Sequence, residues 1–378
     1  MNLNISELAF QRPTWAEINL DTLGSNYLVI QRIVSPARIL AVVKSDGYGH
    51  GAVRVAKELQ EDGVAFFGTA TITEAIELRN SGITTPVLVL SGLTPEQLPL
   101  LMQYDLIPAV YNAEFLNALD QYTRTQQKEV TVHLKVDTGV GRLGFSPAGA
   151  SEALRHPLPF VKIDGVYTHL ACAETPNDPY TQTQLAMFRD FLQQNPQKNR
   201  LVHAANSSGV VNYPESYYDM VRPGILLYGI SPVEETFGLV PILTLKSKIM
   251  YMHWIRKGET VGYGRTFCAD RNTLIATIPI GYADGLRRGL SNRLEVEICG
   301  SMCRVVGNIS MDLTTIDVTE IADRVRLYDT ATLIGSRTTA KDWARLLETV
   351  VYEVPCLIGA RVPRVYYKNG RICDVYYP

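Results

Sequence analysis

Between about Asp21 and Gly229, short apolar runs alternate with amphipathic stretches, which is the rhythm of repeated β-α units. The runs Ile39–Val43, Ala65–Ala70, Pro86–Leu90, Ile107–Val110, Val130–Val136, Phe160–Thr168, Leu201–Ala205 and Met220–Tyr228 predict eight strands. Eight is the number that closes a parallel barrel. The stretches between them, such as 73–82 and 181–191, carry apolar residues at helical spacing and capping residues at their edges. The pattern predicts an α/β fold over residues 1–237, a (β/α)8 TIM-like barrel in preference to an open doubly wound sheet.

After Pro241 the texture changes to β-branched, alternating runs broken by glycine: 243–252, 274–279, 294–298, 302–306, 313–318 and 332–334. A C-terminal, mostly β domain over 238–378 is expected, with 341–349 as its one helix. The stretch at about 14–20 alternates like a strand and is a candidate to join that domain despite its place in the chain.

Composition narrows the function classes. A net charge of −2 with scattered lysine and arginine leaves no electrostatic footprint for nucleic acid or an anionic membrane, so a small-molecule ligand is expected. The six cysteines form no C-x-x-C pair, which fits reduced thiols in the cytoplasm, and no metal is expected. Residues 1–8 lack a basic region followed by an apolar run, and no apolar stretch approaches ~18 residues, so neither export nor a membrane span is expected.

The first predicted strand ends in Lys44, followed by the glycine-rich Gly47-Tyr-Gly-His-Gly51. A buried amine loses charge and becomes a nucleophile that condenses with an aldehyde as a Schiff base, and pyridoxal phosphate is the obvious aldehyde. Tyr48 offers a hydroxyl to a phosphate. A lysine that snorkels to solvent above an ordinary turn is the alternative. In a barrel, function sits at the carboxyl ends of the strands. Those ends deliver Lys44 and Tyr48; Lys135, Asp137 and Arg142; His169; His203, Asn206 and Ser207; and Arg222. Singly, the histidines read as satisfied core residues and Lys135 with Asp137 as a structural ion pair; their convergence is hard to explain as packing.

The motifs Ala41-Val-Val-Lys-Ser-Asp-Gly-Tyr-Gly-His-Gly51, Lys135-Val-Asp-Thr-Gly-Val-Gly-Arg-Leu-Gly144, Thr168-His-Leu-Ala171, Asn206-Ser-Ser208 and Val221-Arg-Pro-Gly-Ile-Leu-Leu-Tyr-Gly229 stand in the barrel region. Gly262-Tyr-Gly264, Pro279-Ile-Gly-Tyr-Ala-Asp-Gly285, Gly307-Asn-Ile-Ser-Met-Asp312 and Tyr352-Glu-Val354 stand in the β region. With these motifs nearly the whole chain resembles the alanine racemases, pyridoxal-phosphate enzymes with an N-terminal barrel and a C-terminal β domain. The one departure noted is Ser45, where the family usually has alanine.

The resemblance implies that Lys44 holds the cofactor and moves the α proton on one face, while Tyr263 of the partner subunit serves the other, so the active site needs a homodimer. It implies a Tyr263, His169 and Arg222 chain that stabilises the phenolate, with Arg222 facing the pyridine nitrogen and leaving it unprotonated, which limits side reactions. It assigns the phosphate to the hydroxyls of Tyr48, Ser207 and Tyr352 and the N–H groups of Gly224 and Ile225, and counts Asn206 among the cofactor contacts. Arg142 and the backbone of Met311 are its contacts to the substrate carboxylate. The equivalent of Lys135 is carbamylated in many relatives, with a plain Lys135–Asp137 pair as the alternative.

The expected activity is interconversion of L- and D-alanine, supplying D-alanine for peptidoglycan. A serine or broader amino-acid racemase is the nearest rival, since one hydroxyl or methylene is worth only ~1–3 kcal/mol of discrimination. A decarboxylase of the same plan is disfavoured by Arg222, which stands where such enzymes use an acidic residue. A non-catalytic pyridoxal-phosphate carrier would be a barrel alone, whereas Tyr263, Tyr282, Met311 and Asp312 fall in the added β domain.

Overall fold

A computed structural model of the chain describes residues 11–156, 158–196, 199–235 and 237–378. The stretch 1–8, on which the expectation about export rests, lies outside the described residues. The chain divides into two compact units, one of residues 23–48 and 52–240, the other of 1–22, 49–51 and 241–378.

The first strand, β1 (Thr14–Asn19), belongs to the second unit. The first unit is a closed parallel barrel of β2 (Arg38–Val42), β3 (Phe66–Thr69), β4 (Val87–Val89), β5 (Ile107–Val110), β6 (Val130–Lys135), β7 (Val161–Tyr167), β8 (Leu201–His203) and β9 (Met220–Val221). Closure comes from β9 pairing with β2, Arg38 opposite Met220 and Ile39 opposite Val221. The strands read as continuous apolar runs because both faces are covered, the inner by barrel side chains and the outer by helices. Sequence-encoded caps start those helices: Thr71 and Glu74 form a capping box on Ile72–Asn80, and Asn112, Ser146 and Asp178 cap Ala113–Gln126, Pro147–Arg155 and Pro179–Gln194.

The eighth strand is much shorter than the predicted 220–228. Pro223 has no N–H for a ladder, and after it the chain coils into a turn in which Leu227 N–H donates to Gly224 O at 2.9 Å.

The second unit holds a seven-stranded sheet in which β1 lies between β10 (Leu243–Lys248), to which it is antiparallel, and β19 (Arg364–Lys368), to which it is parallel. The predicted run 243–252 is two strands: after Lys248 the chain leaves this sheet and enters another as β11 (Tyr251–Ile255), antiparallel to β14 (Thr273–Ile278). Between them a two-stranded ribbon is formed by β12 (Thr260–Val261) and β13 (Phe267–Cys268). Then come β15 (Glu295–Ile298), β16 (Ser301–Arg304), β17 (Thr314–Asp317) and β18 (Thr330–Ile334). The helix expected at 341–349 spans Ala340–Leu347, and a short one, Glu353–Cys356, follows it. The hairpin of β19 and β20 (Arg371–Tyr376) was not expected, although Asn369-Gly370 between alternating runs is a hairpin signal; both take positive φ, 53° and 68°.

Candidate active site

Lys44 leaves the carboxyl end of β2 half-buried, and the chain then does something that glycine content alone did not foretell. Ser45, Asp46, Gly47 and Tyr48 all lie near φ 52–61° and ψ 42–52°, one left-handed turn of which three residues are not glycine. Such a residue costs roughly 1–2 kcal/mol, and local bonds offset it. Ser45 N–H donates to Glu74 Oε1 at 2.7 Å, Asp46 Oδ1 accepts Ala52 N–H at 2.8 Å, and Gly47 N–H reaches Val43 O at 2.8 Å. Glu74 Oε2 also accepts Ala70 N–H at 2.7 Å, so one carboxylate ties the lysine turn to the end of β3.

The turn carries the buried Tyr48 over the loop after β9, its ring centroid 5.4 Å from that of Tyr228. A Cβ on Gly224 would stand 2.3 Å from Tyr48 Oη, so only glycine permits that approach. Ser207 Oγ accepts Gly224 N–H at 2.9 Å, and the N–H of the fully buried Ile225 meets no acceptor among the described residues. Two hydroxyls and a turn of N–H groups thus converge, a set suited to a phosphate dianion. Asn206 is already engaged: its Oδ1 caps the helix Ser207–Asn212 through Gly209 N–H at 2.8 Å.

Arg222, buried at 4% exposure, organises the barrel mouth. Its Nη1 donates to His203 Nδ1 at 2.9 Å; its Nη2 donates to Thr168 O at 2.8 Å, Ala204 O at 2.9 Å and His169 Nδ1 at 3.2 Å. Burial lowers the guanidinium to about 10, which leaves it cationic at neutral pH. Arginine cannot accept, so His203 and His169 must each present a lone pair at Nδ1 and carry the proton at Nε2. His203 Nε2 then donates to His133 Nδ1 at 2.8 Å, leaving the His133 proton on Nε2, which has no partner among the described residues. Burial, with Arg222 next, holds His169 and His203 well below the usual histidine range, and burial takes His133 to about 4. All three are neutral.

Tyr167 stacks on His203 with centroids 4.7 Å apart, and the Arg222 guanidinium lies 5.1 Å from its ring centroid. Lys135 Nζ, also buried, lies 5.7 Å from the same ring. Burial, then Arg222 and Arg142, lower Lys135 to about 8, against a smaller opposing pull from Asp137. The Lys135–Asp137 pair, the alternative to carbamylation, does not form. The Asp137 carboxylate instead accepts N–H groups of Gly139, Val140 and Gly141 at 2.9–3.2 Å, shaping the loop to the exposed Arg142, and no carboxylate among the described residues pairs with Lys135. Lys44 is near enough to lower both Lys135 and His169. Lys44, Lys135, Arg142 and Arg222 therefore surround the neutral His169 with one basic region.

Sequence reasoning missed His133 and Tyr167. Each sits two residues before a residue that was picked, Lys135 and His169, so strand alternation puts it on the same inward face. Gly165 faces His133 across the β6–β7 pair, and a Cβ there would stand 2.5 Å from the imidazole.

Tyr263, Met311 and Tyr352 belong to the second unit. Tyr263 is 75% exposed, between Gly262 and Gly264, which take φ 75° and 74°; Asn308 Nδ2 fixes its carbonyl at 2.7 Å. Met311 is exposed and Tyr352, just before Glu353–Cys356, is half-buried. Among the described residues no cluster of His, Cys, Asp or Glu could hold a metal, and no helix is long and apolar enough to cross a membrane.

Residues 18–232 match the family model "Alanine racemase, N-terminal domain" and residues 242–366 match "Alanine racemase, C-terminal domain". An alanine racemase of Clostridium novyi is 38% identical over 379 residues, covering 96% of this chain and 98% of its own. One of Symbiobacterium thermophilum is 40% identical over 372 residues, covering 95% and 98%. Among solved structures, alanine racemase of Clostridium difficile superposes with a TM-score of 0.92 at 34% identity, over 97% of this chain and 99% of that one. That of Bacillus anthracis with bound L-Ala-P gives 0.89 at 32%, over 97% and 98%.

Proposed function

The chain belongs to the alanine racemase family, and from that premise we propose that it interconverts L- and D-alanine with pyridoxal 5'-phosphate, using Lys44 and Tyr263 of the partner subunit as the two bases. The observation that carries the reading is the buried Arg222 donating to His169 Nδ1 at the barrel mouth. The cofactor supplies an electron sink that acidifies the α proton once the amino acid is joined to it.

The chain's own groups divide the remaining work. Ser207, Tyr48 and the N–H groups of Gly224 and Ile225 hold the phosphate, joined by Tyr352. Lys44 anchors the cofactor and carries the proton on one face. Arg222 donates to the ring nitrogen without protonating it, because it stays charged and has no acidity to offer at neutral pH. Neutral His169, with its proton on Nε2, has a donor ready for the phenolate of Tyr263 of the partner subunit, and Arg222 polarises that donor from behind. Arg142 and the Met311 N–H receive the substrate carboxylate. A homodimer is then the working unit, and D-alanine for peptidoglycan the product. The six free thiols support a reducing, cytoplasmic setting.

Lys135 supports carbamylation: a buried amine lowered to about 8 with no carboxylate partner among the described residues is a nucleophile toward CO2. Its nitrogen attacks the carbon, a proton leaves, and the resulting anion sits beside Arg142. A carbamate signal from labelled bicarbonate by 13C NMR, lost in K135A, is the expected result.

The decisive experiment follows the α proton in deuterated buffer by NMR together with circular dichroism, with L-alanine and L-serine supplied separately. Exchange and loss of optical activity with alanine are expected. Comparable serine turnover moves the reading to a broader racemase, and no exchange with cofactor bound overturns it.

A further inference from the structure

The tight turn Ser310–Leu313 in the second unit is closed by its own side chain: Ser310 Oγ accepts Leu313 N–H at 3.0 Å and donates to Leu313 O at 2.8 Å. One side of it rests on the turn Tyr282–Asp284. Tyr282 N–H donates to Ser310 O at 3.0 Å and Ala283 N–H to Met311 O at 3.1 Å, and a Cβ on Gly281 would stand 2.3 Å from both of those carbonyl oxygens. A trans peptide points its C=O and the following N–H in opposite directions, and neither peptide here is cis. The N–H groups of Met311 and Asp312 therefore face the same way, away from Tyr282 and Ala283. Neither has an acceptor among the described residues. Two adjacent N–H groups aimed outward make a seat for one carboxylate.

One group opposes an anion there, the carboxylate of Asp312 itself. Aspartate side chains fold back on nearby N–H groups, and the charge repels a second carboxylate. Arg361 holds it off. Its Nη2 donates to Asp312 Oδ1 at 2.7 Å while its Nε donates to Asp284 Oδ1 at 2.9 Å. Asp284, its side chain fully buried, is gripped in turn by Arg12 Nη2 at 2.7 Å and by Gly281 N–H on the other oxygen at 3.1 Å. Arg12 Nη1 also donates to the carbonyl of Arg361 at 2.6 Å. The guanidinium is thus fixed at both backbone and head, with one edge left for Asp312.

We infer that Arg361 is a positioning residue for substrate binding: by neutralising Asp312 and turning its side chain aside, it keeps the Met311 and Asp312 N–H pair open to the α-carboxylate of the amino acid. Asp312 N–H is then a second main-chain donor beside that of Met311. The inference rests on the function proposed above.

A double-mutant cycle on the cofactor-loaded enzyme tests it, with KM and kcat for L-alanine and the inhibition constant of propionate measured for wild type, R361A, D312N and R361A/D312N. R361A is expected to raise KM and the propionate constant about tenfold with kcat changed less than about threefold, the pattern of a lost binding term. Adding D312N should recover most of that loss, because no carboxylate remains to block the turn. A merely structural bracket predicts that the double variant is at least as impaired as R361A, and that result overturns the inference. Should melting curves show R361A unfolded, R361K, which keeps the charge but cannot bridge both carboxylates, carries the same comparison. Wild-type protein that fails to racemise alanine would refute the proposed function instead.

Discussion

Arg222 has no lone pair, and that property assigns the protons of three histidines in sequence, from His169 and His203 to His133. The same logic makes Tyr263 testable alone. Y263F should keep the absorbance of bound cofactor and lose about 10²–10⁴-fold in kcat in at least one direction, the size of a lost general acid or base; unchanged rates both ways would remove Tyr263 from the mechanism. Lys135 yields a stability prediction with a definite sign. Its folded value of about 8 lies below its ordinary 10.5, so between those values the unfolded chain holds the proton more tightly. The penalty is full below pH 8 and relieved as pH climbs toward 10.5. In CO2-free buffer K135M should exceed wild type in urea stability at pH 7, by on the order of 3 kcal/mol, with the gap closing by pH 10 to 11; a gap independent of pH would show that the buried charge is not its source.

Elements owe their precision to a few contacts that local pattern does not display. The left-handed turn at 45–48 is held by Glu74, which also closes the capping box on Ile72–Asn80. Gly165 is a strand glycine with a reason: it vacates the space that the His133 ring occupies. G165A should cost about 1–3 kcal/mol by overpacking and lower kcat as well, because the displaced imidazole lets go of His203 and hence of Arg222. Loss of stability with unchanged kcat would show that the histidine chain is only ballast. In the second unit, T339A removes the cap of Ala340–Leu347, where Thr339 accepts Asp342 N–H. About 1 kcal/mol of stability should go with it, read by thermal melting with activity unaffected.

At the scale of the whole molecule, the proposal that each site takes Lys44 from one subunit and Tyr263 from the other predicts complementation. K44A and Y263F should each be strongly impaired alone, whereas a mixed dimer would hold one site with both residues intact. Equimolar mixing after dissociation should restore about a quarter of wild-type activity, since half the dimers are mixed and each has one working site. No recovery, with mixed dimers shown by native mass spectrometry, would place both bases in one subunit.

The barrel and the cluster at its mouth were readable from the chain because their determinants are local. Short apolar runs, helix caps, and the residue that follows each strand are properties of neighbours in sequence, and closure of the barrel brings those ends together without further instruction. Lys44, His169 and Arg222 were legible for that reason. Some local choices still went unread: Pro223 ended the eighth strand early, Asp137 turned from Lys135 to its own loop, and Asn206 gave its oxygen to a cap. The bracket on Met311 joins Arg12 to Arg361 across 349 positions and Arg361 to Asp284 across 77. No window of sequence holds those partners together; packing of the sheets does, and burial then makes each charge depend on the one beside it.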